Sequence, residues 1–180
     1  ALSLAVAGMI ITALFFHMLA ILQDNQIPAA IAAAVFGPVA LATALVRLCS
    51  GVLVDRFPPR VLLAVALLLQ VTVLVAVPFV RGTATAFAYG IALGTILGLM
   101  QTVTGVIWAA YFGRRHLASI AGMASTLLFV GCALGPMPFG IARDVMGSFT
   151  SALAITSVLP LLLAAVVLSV RRPRRGSGAM

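Results

Sequence analysis

The sequence predicts an all-α integral membrane protein of six transmembrane helices, arranged as two inverted three-helix repeats. Three observations carry that prediction. Of 180 residues, 63% are hydrophobic and only 8% charged, against roughly 25% charged in an ordinary soluble domain, and the mean hydropathy is +1.25. The apolar residues fall into six runs, each close to the ~20 residues that a helix needs to cross the hydrocarbon core. The charges lie almost entirely between the runs: all 11 cations are arginine and the net charge is +8. That basicity marks topology within a lipid bilayer, not a nucleic-acid partner.

Reading the runs against Pro, Gly and charge punctuation places helices at about 1–22, 29–54, 61–80, 84–112, 117–142 and 148–170. They form one six-helix unit over 1–170, followed by a basic tail over 171–180. The first span begins at once, with no charged segment before it, which argues against a cleaved signal peptide and predicts a chain cut at its start. A polar turn at 23–28 closes the first pair. The second span holds Pro38 and Arg47 and ends in the turn Phe57-Pro58-Pro59-Arg60; the third ends at Arg81-Gly82-Thr83. Turns this short force antiparallel neighbours. In the fourth span Gly90, Gly94 and Gly98 recur every four residues on one face, a stripe that lets another helix approach closely. Gln101, Thr104 and Gly105 follow near the same side, and Trp108, Tyr111 and Phe112 read as an interfacial aromatic belt. The fifth span carries Gly131, Gly135, Pro136, Pro138 and Gly140, and the sixth Pro160. Each interior proline removes a backbone hydrogen bond and favours a kink.

Orientation follows from the arginines. Arg56, Arg60, Arg114, Arg115, Arg171, Arg172, Arg174 and Arg175 fall on one side, and Arg81 and Arg143 on the other. By the positive-inside rule both termini are cytoplasmic, and simple anchoring accounts for most of these charges. The inverted repeat rests on a weak match: Gly51-x-x-x-Asp55 ends the second helix and Gly140-x-x-x-Asp144 the fifth, on opposite sides of the membrane.

Arg47 remains. It sits eight residues before Asp55, about 12 Å deeper at 1.5 Å per residue, near the midplane of a ~30 Å hydrocarbon core. A guanidinium keeps its charge at any physiological pH, so such a residue marks a functional site unless it snorkels or pairs with Asp55. Steps of four residues rotate by only about 40°, which puts Arg47, Gly51 and Asp55 on one helix face. Gln101 offers an amide at similar depth. His17 is six residues from the outer turn, either a hydrogen-bonded interior side chain or a titrating contact to substrate and a coupling proton. Cys49 and Cys132 read as small buried hydrophobes. With two His, three Asp and no Glu, the chain predicts neither a metal site nor a cofactor, and no set of intramembrane acids or nucleophiles points to an enzyme.

Three patterns together resemble the C-terminal six-helix half of a major facilitator superfamily transporter, half of a twelve-helix fold. The segment Gly51-Val-Leu-Val-Asp55-Arg56-Phe-Pro-Pro-Arg60 is similar to that superfamily's cytoplasmic signature, with Pro58 and Pro59 where Gly and often a basic residue are usual. The stretch from Trp108 through Arg114, Arg115 and His116 to Gly122 resembles bacterial members related to the monocarboxylate transporters. Gly131-Cys-Ala-Leu-Gly135-Pro136-Met-Pro-Phe-Gly140 is similar to their fifth-helix pattern. The resemblance implies secondary transport of a small organic anion, a monocarboxylate, by alternating access in a bacterial inner membrane. Arg47 would bind the carboxylate, and Asp55 would latch onto the start of the fifth helix in a gate with Arg56 and Arg60. The pathway would need the missing half or a second copy as its other wall. A drug or other solute exporter of the same fold, and a noncatalytic scaffold or receptor, stay open as alternatives.

The topology is testable by cysteine labelling of the full-length protein from one side of the membrane. A cysteine at position 82 should react from outside intact cells, and one at position 58 only after permeabilisation.

Overall fold

A computed structural model of the chain describes residues 2–112, 117–147 and 149–169. Every regular element among them is helical: α1 (Leu2–Asp24), α2 (Ala29–Ala34), α3 (Phe36–Leu48), α4 (Ser50–Arg56), α5 (Pro59–Ala76) with a 3-10 turn at Val77–Phe79, α6 (Thr83–Phe112), α7 (Leu117–Leu134), α8 (Pro136–Met146), α9 (Phe149–Thr156) and α10 (Val158–Ser169). They join into six spans long and apolar enough to cross a membrane: α1, then α2 with α3, α5, α6, α7 with α8, and α9 with α10, with α4 continuing the second beyond Leu48. The chain has the makeup of a multi-pass helical membrane protein. Arg114, Arg115 and the whole tail over 171–180 lie outside the described residues.

Three spans are interrupted, and the prolines expected to kink them account for three of the four breaks. A proline ring obstructs the carbonyl four residues before it. For Pro38, Pro138 and Pro160 that residue is Ala34, Leu134 and Thr156, the last residues of α2, α7 and α9. The second span bends again at Cys49, where no proline stands but a Ser50-Gly51 pair follows, another sequence at which helices kink. Helical bonding resumes across the bends: Val39 N–H donates to Val35 O at 3.2 Å and Leu53 N–H to Cys49 O at 3.1 Å.

Boundaries shift for local reasons. Instead of ending near 22, α1 runs to Asp24 and closes with Ile27 N–H donating to Leu22 O at 3.0 Å and Gln26 at φ +64°, a left-handed cap. The third span starts at Pro59 rather than 61, with proline at a position where its missing N–H costs nothing. The fifth runs to Met146 rather than 142 and stops at Gly147, whose φ of +69° suits glycine.

The buried core is drawn mainly from α1, α5 and α6. On its flanks α3 packs on α6, α7 and α8 pack on α1, and α10 lies along α5. Two crossings are built on glycine. A Cβ at Gly94 would overlap the Val39 carbonyl, one at Gly90 would come within 2.7 Å of Val35 Cγ1, and one at Gly98 within 2.7 Å of Val46 Cβ. At the other crossing a Cβ at Gly131 would come within 2.7 Å of the Ala5 carbonyl, and one at Gly135 would overlap that of Met9. Gly8 answers from α1, seated against Leu128 and Cys132.

Gly94→Ala should therefore force two backbones apart and cost about 1–3 kcal/mol, read as a lowered melting temperature in detergent. Gly122→Ala, where nothing lies within 4 Å, should leave the melting temperature unchanged or raise it.

Candidate functional site

The glycine stripe determines where the candidate site lies. Along α3 and α6 the backbones pack closely, and the Thr43 hydroxyl ties them, its Oγ1 2.8 Å from Val39 O and 3.0 Å from Gly94 O on the facing helix. Beyond Gly98 the contact ends: nothing lies within 4 Å of Gly105 or of Gly51 across from it. The space between them is a cavity of about 450 Å³ lined by Arg47, Ser50, Gly51, Asp55, Gln101, Thr102 and Gly105. A second cavity, of about 580 Å³, shares Arg47, Gln101 and Gly105 and adds Thr12 from α1, Leu128 and Cys132 from α7, and Thr104 from α6. Four spans thus contribute to two open cavities that meet at Arg47, Gln101 and Gly105.

Arg47 and Gln101, two of the three expected substrate contacts, face this space together. Arg47 is exposed to it and makes no ion pair with Asp55 and no hydrogen bond within the described residues. Asp55 lines the smaller cavity with it, and the expected latch to the start of α7 is not made here. Arg56 is exposed at the end of α4. Arg60 points elsewhere, half-buried in a separate cavity of about 230 Å³ beside Trp108, Tyr111 and Phe112. Trp108 is itself buried and stacks on Phe112 at 6.4 Å between centroids.

His17, the third expected contact, lines neither shared cavity. Its Nε2 lies 3.0 Å from Pro136 O, an acceptor only, so Nε2 carries the proton and donates. The ring packs on Phe149 at 5.1 Å, and a Cβ at Gly140 would lie 3.8 Å from it. Gly131, Gly135, Pro136 and Gly140 thus shape the crossing of α1 with α7 and α8, with His17 as one of its ties.

Sequence reading missed several residues here. Gly8, Thr12 and Cys132 are small residues in apolar helices, with no pattern to single them out. Nothing local paired Asp24 with Arg143, yet Arg143 Nη2 donates to Asp24 Oδ1 at 3.0 Å, and its guanidinium lies 5.1 Å from the Phe149 ring centre. This clamp joins the ends of α1 and α8, on the opposite end of the bundle from Arg56.

With side chains 45% and 32% exposed, the clamp should be weak. A double-mutant cycle with Arg143→Gln and Asp24→Asn is expected to give a coupling below about 1 kcal/mol, falling further at high salt.

Comparison with protein-family models finds no match to this chain, and comparison with curated proteins finds none either.

Proposed function

We propose that the chain is one six-helix half of a major-facilitator-type secondary transporter that carries a small organic monocarboxylate by alternating access, with Arg47 as the carboxylate receptor. The observation that carries this reading is an unpaired arginine on a cavity wall shared with Gln101 from another span. A charge held at membrane depth without a partner is costly. An incoming carboxylate relieves that cost, because the guanidinium fork meets it with two charge-assisted hydrogen bonds and the Gln101 amide can add a third.

Two further features support the reading. The first span crosses the fifth and the fourth crosses the second, partnerships that exchange when the first three spans are swapped with the last three, as an inverted repeat requires. The second and fifth spans, which carry few buried residues, present large apolar side chains outward, among them Leu48, Met123 and Phe129. Such faces suit a second six-helix half, or a second copy, closing the cavity from the other side. In this reading Gly51, Asp55, Arg56 and Arg60 belong to a cytoplasmic gate in a bacterial inner membrane, and the Asp55 latch engages only when that side closes.

Uptake of labelled pyruvate or lactate by the full-length protein is the test. Arg47→Ala should lower kcat/KM at least about thirtyfold, or ~2 kcal/mol, the worth of charge-assisted hydrogen bonds lost from one group. Arg47→Lys, which keeps the charge but not the fork, should fall between. Unchanged uptake in Arg47→Ala removes the carboxylate role. An intact protein that exchanges no solute while holding a partner favours the scaffold alternative.

A further inference from the structure

Arg47 and Gln101 stand where two chambers of different character meet. The smaller one presents Ser50, Asp55 and Thr102. The larger one is walled by Leu4, Ile11, Leu97, Met100, Leu128 and Cys132. Resting on the reading of Arg47 as carboxylate receptor, we propose that the substrate is a monoanion with an extended apolar body, its carboxylate on Arg47 and Gln101 and its hydrocarbon in the larger chamber.

Charge decides the number of carboxylates. Among the described residues lining either chamber, Arg47 is the only cation and Asp55 the only anion. A second carboxylate turned toward Asp55 meets like charge, and one turned the other way meets apolar wall that cannot solvate it. Hydroxyl donors are scarce as well: Thr102 donates to Gly98 O at 2.8 Å and Thr104 to Met100 O at 2.7 Å, so both are committed to their own helix. Ser50 adds one hydroxyl to the smaller chamber and Thr12 one to the larger, too little to match a polyhydroxylated body. The volume of about 580 Å³ lies within the ~300–1,000 Å³ of small-molecule sites, ample for a hydrocarbon chain or a branched body beyond the carboxylate.

Cys132 provides a readout inside the larger chamber that does not depend on transport, which membrane-permeant acids would obscure. In full-length protein carrying Cys49→Ser, to remove the exposed Cys49, the rate at which N-ethylmaleimide modifies Cys132 is measured against acetate, butanoate, hexanoate, octanoate and succinate. From butanoate to octanoate the half-protecting concentration should fall about fourfold per methylene, the transfer preference of one buried methylene. Succinate should protect no better than acetate. 1-Octanol, which enters the bilayer without a carboxylate, should not protect, and Arg47→Ala should abolish protection by every acid. The same ligand series should raise the melting temperature in the same order, a check independent of thiol chemistry. A flat series, or succinate matching hexanoate, with protection still lost in Arg47→Ala overturns the apolar-body inference and leaves the Arg47 reading standing. Protection that survives Arg47→Ala, or protection by 1-octanol, overturns the placement of the carboxylate on Arg47.

Discussion

At Gly94 the fourth span comes so near the second that a methyl group would overlap the Val39 carbonyl, and at Gly135 the fifth approaches Met9 of the first in the same way. Lipid tails are as apolar as leucine, so helices in a bilayer gain little by hiding from solvent; they associate through close packing and through hydrogen bonds between backbones. Small residues set how near two helices come, and a hydroxyl such as that of Thr43, shared between Val39 and Gly94 carbonyls, sets their register. The position of Arg47 opposite Gln101 follows from that register, one turn past the last glycine contact.

The same helices that touch so tightly are also interrupted, at prolines and at a small polar pair. The bends at Val35, Gly135 and Ser157 each fall where a proline blocks the carbonyl of the last residue of the preceding helix. The bend at Cys49 has a different cause, the Ser50-Gly51 pair, and it lies two residues past Arg47 at the mouth of the smaller cavity. Because helical bonding continues across it, the second span can change direction there without exposing backbone groups that hydrocarbon could not satisfy.

Two arginines illustrate how differently the same charge can be placed. Arg143 has a carboxylate at 3.0 Å and an aromatic face beside it, at the solvent-facing end of the bundle; its role is complete without a ligand. Arg47 has neither among the described residues and is exposed on a cavity wall. Asp55 shares its cavity yet does not pair with it, which leaves both groups available to something that enters or to a rearranged neighbour. His17 tells the opposite story: a titratable side chain at a suggestive depth turns out to be occupied by the Pro136 carbonyl at the bend of the fifth span.

Much of this architecture was legible in the residues themselves. Apolar runs of about 20 residues between arginine-rich turns allow no soluble fold, because hydrocarbon forces each run to satisfy its own backbone as a helix. The stripe of Gly90, Gly94 and Gly98 announced a close helix contact, and the interior prolines announced bends, since both effects are local to the chain. The charge of Arg47 within an apolar run marked a candidate site. What local pattern could not show was which helix the stripe meets, that Gly8 answers Gly131 and Gly135, that Asp24 and Arg143 clamp two ends 119 residues apart, or that Arg47 and Gln101 share a cavity while His17 faces a carbonyl. Those depend on helix rotation and register, which nearly uniform apolar surfaces leave unmarked in the sequence and which only the packing of side chains across spans decides.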